Sequence, residues 1–362
     1  MEREITLADV EAIAIGAGIL GTGGGGNTYL GRVLLEKEMS ERGKPCRIID
    51  VDDVADDAYA CAIGGMGAPT VGVEKLPQGD EYMIAMRALE EHIHAPLSAI
   101  LIGEIGGSNA LRPLICGLQM DLPVVDGDGM GRAFPELQMD TFAIGGLSLS
   151  PMALADCHGN VVIFHHVDSP RRAEQYGRLL TIEMGGSAAL AMPLMNGAQM
   201  KATIIGGTLS LAQRMGELVL DARRRSVESI DAVAALGHGH VLFRGKITDV
   251  ERRTVQGFAR GRIKLAAFGD PNDTLEIVFQ NENLVAWRNG ELVCTVPDLI
   301  CILNLEDSEP IGTEMLRYGL RVAVIAMPAP KELKTPQALA VVGPAAFGYD
   351  VEFQPLAGDL LM

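Results

Sequence analysis

The chain has 362 residues, a formal net charge of −17, 48% hydrophobic residues and only 4% aromatic residues. This length favours two domains, and the composition is typical of a globular protein with a large buried core. The acidity argues against nucleic acid and anionic membranes as partners, because both are bound through Lys and Arg, and favours a small-molecule substrate.

The acidic residues are concentrated in the first half of the chain. Residues 1–168 contain 25 acids and 10 bases, a balance of −15, whereas residues 169–362 contain 22 acids and 20 bases, a balance of −2. The pattern of predicted elements changes over the same region. We therefore predict an α/β domain over 1–168 and a β-rich α+β domain over 169–362.

The cysteines and the N-terminus indicate the compartment. Six cysteines are scattered without a C-x-x-C pair, and several lie in apolar runs, which is typical of reduced, buried thiols. The first residues lack the basic-then-apolar pattern of a signal peptide, and no run of about 18 apolar residues is present. These features predict a cytoplasmic protein.

The first half alternates helices with apolar strands. Residues 6–20 read as a helix, a glycine run follows over 21–26, and Asn27 is a suitable N-cap for a second helix. Later strands near 58–63, 98–103 and 122–125 each end in a glycine-rich loop, at 64–69, 104–109 and 126–136. Such alternation predicts a mainly parallel sheet covered by helices, with the three loops side by side at one edge.

The second half has the pattern of an antiparallel β-rich region that also carries helices. Strands are expected over 161–166, within 239–305 and over 320–326, and Asn289-Gly290 has the composition of a two-residue hairpin turn. Helices are predicted over 169–184, 206–225 and 335–342.

A dinucleotide-binding motif is one candidate function. Gly21-x-Gly23-x-x-Gly26 matches the fingerprint, and Asp50 follows at a suitable distance. The fingerprint should follow a strand, however, and residues 7–20 are predicted to be helical. An oxidoreductase that uses Gly21–Gly26 therefore remains an alternative, and an anion-binding loop at the start of the next helix fits the context better.

Acidic residues at the predicted strand ends form the strongest candidate site. Carboxylates crowded in a partly dry cleft raise one another's proton affinity, which suits a general base, and their oxygens could also bind a divalent metal. An arginine among them could hold an anionic substrate or a developing negative charge. The residues predicted to be catalytic are Glu104, Asp126, Asp128 and Arg132.

The glycine-rich loops also supply the residues that we expect to bind substrate: Gly23, Gly24, Gly25, Asn27, Met66, Gly67, Asn109 and Glu136. The metal ligands are not identified by sequence. His238 and His240 would share one face of an extended segment and could form half of a zinc site, but no third ligand with diagnostic spacing is visible.

Several of these motifs, taken in order, resemble the S-methyl thiohydantoin desulfurase-like family. They are GTGGGG (21–26), GGMGAP (64–69), GEIGG (103–107) with Asn109, DGDGMGRAFPE (126–136), RYGLRV (317–322) and VGPAAFGY (342–349). The resemblance spans nearly the whole chain. It implies an α/β N-terminal domain and a β-rich C-terminal domain, in agreement with the predicted elements.

The resemblance also implies an activity: replacement of sulfur by oxygen from water at a carbon of a hydantoin-like ring. On this hypothesis Asp126 or Asp128 is the base or a metal ligand, Glu104 is a second carboxylate, and Arg132 with loop N–H groups holds charge. Two questions stay open, namely whether the chain is a homo-oligomer and whether it acts alone or as a non-catalytic subunit beside a hydantoinase-like protein.

Overall fold

A computed structural model describes residues 2–67, 71, 74–255 and 258–360, whose strands form two sheets. Sheet A contains β1 (Arg3–Ile5), β2 (Cys46–Ile49), β3 (Tyr59–Gly67), β4 (Ala99–Ile102), β5 (Val124–Asp128), β6 (Met152–Ala155), β7 (Val161–Phe164), β8 (Ser187–Asn196) and β9 (Ile205–Gly206). Sheet B contains β10 (His240–Val255), β11 (Phe258–Ala267), β12 (Thr274–Gln280), β13 (Glu282–Arg288), β14 (Glu291–Thr295), β15 (Leu299–Asn304) and β16 (Arg321–Met327).

Sheet A is mixed, with parallel strands at its centre. The order is β1-β2-β5-β4-β3-β8-β6-β7, in which β2, β5, β4 and β3 are parallel neighbours, while β1 and β8 run antiparallel to them. Both faces of the parallel strands are buried: Cys61 and Ile63 join one apolar core, and Ala60 and Ala62 join another. The predicted α/β class is confirmed.

Over the described residues the structure contains ten α-helices, among them the five that the sequence predicts. They are α1 (Val10–Leu20), α2 (Thr28–Arg42), α3 (Glu81–Ile93), α4 (Arg112–Met120), α5 (Thr141–Ile144), α6 (Pro170–Glu183), α7 (Gly197–Thr203), α8 (Thr208–Arg225), α9 (Ile230–Leu236) and α10 (Pro336–Val342). The first helix begins at Val10 rather than residue 6, because Arg3–Ile5 pair with β2 as an edge strand.

Helices α1 and α8 pack with their backbones in close contact. A Cβ on Gly16 would lie 1.8 Å from the carbonyl oxygen of Ala212, and a Cβ on Gly216 would lie 1.8 Å from that of Ala12. Only glycine permits this approach, which places α1 at the centre of the molecule and brings the loop that follows it to the edge of sheet A.

Sheet B is antiparallel, in the order β14-β13-β12-β11-β10-β16-β15. Its strands β15 and β16 are buried on both faces. Leu299, Cys301 and Leu303 belong to the core shared with α1 and α8, whereas Ile300 and Ile302 face the core inside sheet B. This double burial explains the continuous apolar run of β15 and fixes the second domain against the first. The predicted β-rich second region is confirmed.

Two predicted loops begin later than expected. Strand β3 continues to Gly67 because Gly64, Gly65 and Met66 pair with residues of β8, a strand that the sequence analysis did not identify. Residues 68 and 69 of that predicted loop lie outside the described residues. Strand β5 continues to Asp128, since Gly127 and Asp128 pair with β9. Strand β7 ends at Phe164, so His165 and His166 follow the strand instead of belonging to it.

The cysteines have the predicted state. All six are free thiols, and five of them are buried, Cys157 being the partly exposed one. Across the described ranges, none of the helices combines the length and the hydropathy that a membrane span requires.

Candidate active site

A cavity of about 180 Å³ opens where the carboxyl ends of β3 and β4 and the loop after β5 meet two other segments. These segments are the glycine-rich loop between α1 and α2, and the tight turn between β12 and β13 of sheet B. Open α/β sheets bind their ligands in a crevice at this edge. The structure thus brings the three predicted strand-end segments together around one space.

The cavity wall combines apolar side chains with a small set of polar groups, as is typical of small-molecule sites. The apolar part includes Leu30, Ile63, Met66, Met130, Phe134, Leu137, Leu190 and Met192. The ionisable and amide groups are Glu104, Glu136, Asp140, Glu282, Arg112, Arg178, Tyr82, Asn27, Asn109 and Asn281.

Glu104 is held in place from two sides. Its Oε1 accepts a short hydrogen bond from Asn109 Nδ2, and its Oε2 accepts one from the backbone N–H of Phe134 at 3.2 Å. The Asn109 amide is itself oriented, because its Oδ1 accepts the N–H of Gly65 at 2.9 Å. A hydrogen-bonded chain therefore runs from β3 to Asn109 and on to the carboxyl group of Glu104.

The environment of Glu104 makes it a suitable base near neutral pH. Burial raises the pKa of Glu104 to about 7, an effect that the nearby Asp128 increases. The hydrogen bonds from Asn109 and Phe134 and the charge of Arg132 act in the opposite direction, since they favour the carboxylate. A carboxyl group with this pKa is available in both protonation states at pH 7.

Glu282 is a second acid on the same wall. It is 2% exposed, and its Oε2 has no hydrogen-bond partner within the described part of the chain. Burial, followed by the charge of Glu104, raises the pKa of Glu282 well above its usual range, against the opposing effect of Arg132. Burial therefore favours the protonated form of this carboxyl group, which lines the cavity and has one unpartnered oxygen.

Asp128 lies behind the cavity and fixes its loops. It is fully buried, and its Oδ2 accepts the N–H groups of Ile105 at 2.8 Å, Met130 at 3.0 Å and Gly131 at 2.8 Å. Burial raises the pKa of Asp128 to about 7 despite these bonds. The side chain ties the loop of Glu104 to the loop after β5 and does not line the cavity.

Arg132 is also fully buried, and it joins the two domains. Its five N–H donors are all used: they bind Ala133 O, Pro297 O, Asp298 O, Thr22 Oγ1 and Asn283 O at 2.8–3.2 Å. Burial lowers the pKa of Arg132 to about 10, so the guanidinium is still charged at pH 7. It acts on Glu104 and Glu282 through its field and has no donor left for a ligand.

Asp126 lies away from the cavity. Its carboxylate accepts the N–H of Ser210 at 3.1 Å, a short bond from the Ser210 hydroxyl, and a bond from Arg3 Nη2 at 3.2 Å. Asp126 thus accepts a backbone N–H group of the first turn of α8 and links this helix to β1 through Arg3. The structure brings Glu104, Asp128 and Arg132 together and leaves Asp126 outside the group.

Most of the residues predicted to bind substrate line the cavity, namely Gly25, Asn27, Met66, Gly67, Asn109 and Glu136. Gly23 and Gly24 lie behind it. The carbonyl oxygen of Gly23 accepts the N–H of Thr313 at 2.8 Å, and Gly24 packs against Glu282.

The loop over 21–26 follows α1 and precedes α2, so it is not the strand-to-helix turn that a dinucleotide fingerprint requires. Its carbonyl groups bind other parts of the chain: those of Thr22, Gly25 and Gly26 accept N–H groups of Asn283, Asn109 and Ser108, respectively. The first turn of α2 is already capped by Asn27, whose Oδ1 accepts the N–H groups of Tyr29 and Leu30.

Four cavity residues are not predicted by the sequence pattern, namely Glu282, Asp140, Tyr82 and Arg112. Glu282 belongs to a polar run between two apolar strands, Gln280-Asn281-Glu282-Asn283, which reads as an exposed hairpin turn. All four residues of this run are in fact buried, because the turn faces the glycine-rich loop. Asp140 caps α5 through Ala143, and burial raises the pKa of Asp140 to about 7.

Within the described residues, no group of three or more His, Cys, Asp or Glu side chains is placed to hold a metal ion. His238 lies beyond the end of α9 and His240 begins β10, and neither lines the cavity.

Comparisons with known proteins agree with this architecture. A family model described as the S-Me-THD-like N-terminal domain matches residues 8–166, and one described as the S-Me-THD-like C-terminal domain matches residues 168–356. A search of curated proteins found no match. The crystal structure of a protein from Chromobacterium violaceum is similar, with a TM-score of 0.80 and 24% identity, over 98% of this chain and 99% of that one. That likeness concerns the fold.

Proposed function

The chain belongs to the S-Me-THD-like (S-methyl thiohydantoin desulfurase-like) family, and we propose that it removes sulfur by hydrolysis from a thiohydantoin or a related hydantoin-like ring. The observation that supports this chemistry best is the pair of carboxyl groups on one cavity wall. Two acids whose environments give them different proton affinities can serve as base and acid in one reaction.

In the proposed reaction Glu104 is the general base. Its carboxylate takes a proton from water as the water oxygen bonds to the ring carbon that carries sulfur. Glu282 then gives its proton to the sulfur. As the carbon–sulfur bond breaks, the added hydroxyl becomes the ring carbonyl and returns a proton to Glu282, while the proton held by Glu104 passes to the departing sulfur of a thiocarbonyl or, for a thioether, to the ring nitrogen. The products are the oxygen-containing ring and hydrogen sulfide from a thiocarbonyl, or a thiol from a thioether. The reaction consumes water and needs no oxidant or reductant.

The other predicted catalytic residues have supporting roles in this proposal. Asp128 positions the loop of Glu104, and Arg132 limits the negative charge around the two acids while holding the domains together. Asp126 supports the end of β5 through α8 and does not touch the substrate. The free thiols fit the cytoplasm as the compartment.

The test is a sulfur-release assay with the purified chain, a 2-thiohydantoin and its S-methyl derivative, with and without a chelator. We expect Glu104→Gln and Glu282→Gln each to lower kcat by about 10²-fold or more, as loss of acid–base catalysis does. Glu36→Gln is the matched control, since Glu36 pairs with Arg32 on the outer side of α2. Wild-type turnover by both cavity variants would refute the assignment.

The chelator arm distinguishes hydrolysis by the protein's own carboxyl groups from a metal-dependent reaction. Turnover that appears only after a hydantoinase-like protein is added would identify the chain as a subunit and not as a self-sufficient enzyme.

A further inference from the structure

Arg112 is a cation on the cavity wall whose hydrogen-bonding groups are unused. It is the first residue of α4, is partly exposed, and makes no hydrogen bond or salt bridge to any described residue. The other arginine of the cavity is occupied: Arg178 binds Glu174 through Nε and Pro135 O through Nη2.

The carboxylates near Arg112 accept hydrogen bonds from other groups. Glu81 lines a small adjoining cavity of about 50 Å³ together with Arg112, but it accepts the N–H groups of Gln78 at 2.6 Å and Gly79 at 2.9 Å. Glu136, on the main cavity, is bound by Gln138. A guanidinium left without a counter-ion in a protein this acidic is an unusual feature, because acidic partners are abundant on the surface.

The surroundings of Arg112 leave its N–H groups free for a ligand. Its Cζ lies 5.6 Å from the centroid of the Tyr82 ring, which supports the cation through its π face. The Tyr82 hydroxyl lies close to Gly65 of β3, since a Cβ on Gly65 would lie 2.9 Å from its oxygen. Arg112, Tyr82 and Ser187 border both the main and the adjoining cavity.

We infer that the substrate ring carries a short anionic substituent, a carboxylate, which Arg112 binds while the ring lies against Glu104 and Glu282. The inference rests on the proposed function for the identity of the ring, and on the unused guanidinium for the charge. A carboxylate accepts two parallel N–H bonds from a guanidinium, and the small adjoining cavity limits the length of the substituent.

Binding is measured first, because it does not depend on turnover. Calorimetric titration compares hydantoin with hydantoin-5-acetic acid. We expect the acid to bind about tenfold to a hundredfold more tightly, as a charge-assisted bidentate pair predicts. Arg112→Gln is expected to abolish this difference while leaving the affinity for neutral hydantoin unchanged. Arg112→Lys should retain part of it.

The matched control is Arg87→Gln, in which an exposed arginine on neighbouring α3 loses its pairing with Glu90. Denaturation of each variant checks that it is folded. A merely structural role for Arg112 would weaken the binding of both ligands equally and would refute the inference. Equal affinity of the wild type for the two ligands, or no binding of either, would refute it as well.

Turnover then separates this inference from the proposed function. Desulfurisation of neutral and anionic thiohydantoins with the same KM would support the proposed function and refute the carboxylate preference. Preferential binding of the acid without any sulfur release would support the anion site at Arg112 and refute the proposed reaction. If both hold, Arg112→Gln should raise KM for the anionic thiohydantoin far more than it lowers kcat.

Discussion

Glu282 occupies the space that a side chain at Gly24 would need: a Cβ on Gly24 would lie 2.0 Å from Glu282 Oε1 and 2.6 Å from its carboxyl carbon. The glycine-rich loop and the buried acid of the second domain therefore fit each other directly. The absence of a side chain at Gly24 leaves room for Glu282, which gives this glycine a role that a phosphate-binding motif does not explain.

The first prediction is that Gly24→Ala displaces the Glu282 carboxyl group. The carboxyl cannot move far without losing its place on the cavity wall, so we expect kcat for sulfur release to fall at least tenfold while the chain remains folded. Gly206→Ala is the control, because a Cβ there would make only an ordinary contact at 3.5 Å with Val51. Equal kcat in the wild type and Gly24→Ala would show that the position of Glu282 is unimportant.

The second prediction concerns Asn109, which positions Glu104 and stabilises its charged form. Because the bond from Asn109 lowers the pKa of Glu104, the variant Asn109→Ala should raise that pKa. The rising limb of the pH–kcat profile, expected near pH 7 in the wild type, should move upward by about one unit.

The profile of Ser108→Ala is the control for this shift, since the neighbouring Ser108 hydroxyl makes no hydrogen bond in the described structure. A fall in kcat at every pH with an unchanged midpoint would indicate that Asn109 affects only the geometry of the site.

The third prediction is that stability falls as pH rises from about 4 to 7. Burial raises the pKa values of Glu104, Asp128 and Asp140 to about 7 in the folded chain. The folded state therefore binds more protons than the unfolded state in this pH window. The stability that these protonated groups contribute is fully present below their unfolded pKa values and is lost as pH rises through 7.

Urea denaturation at pH 5 and pH 8 measures this effect. For Glu104 alone the shift corresponds to at most about 3 kcal/mol. Glu104→Gln should reduce the difference in unfolding free energy between the two pH values, whereas Glu36→Gln should leave it as in the wild type. A wild-type chain that is equally stable at both pH values would contradict the prediction.

The fourth prediction is that Arg132 cannot be replaced by lysine. A lysine has three donors where the structure uses five, so Arg132→Lys would leave buried carbonyl groups of both domains without partners. We expect a loss of about 3 kcal/mol in unfolding free energy. Arg87→Lys, at an exposed ion pair, should change it by about 0.5 kcal/mol or less. Comparable losses in the two variants would show that Arg132 does not join the domains.

Local sequence patterns were sufficient to predict much of the fold. The parallel strands β3, β4 and β5, the helices α1 and α2, and the hairpin at Asn289-Gly290 were predictable because hydrophobic periodicity and turn residues act over a few neighbouring positions. Strand β8 was not predictable in this way. It contains Pro193 at an irregularity in its pairing with β3, and its small residues Ala188, Ala189 and Ala191 carry no strand signal by themselves.

The sequence by itself determined the family, the α/β and β-rich halves, and the strand-end segments that carry Glu104, Asn109 and Glu136 to one edge. Only the tertiary structure decided which acids face the cavity. Asp126 and Asp128 are two residues apart on one strand, yet Asp126 binds Arg3 and Ser210 while Asp128 binds the loops behind Glu104. Glu282 reaches the site from a distant hairpin. A carboxyl group's role depends on its burial and its partners, and those partners come from segments that are far apart in the chain.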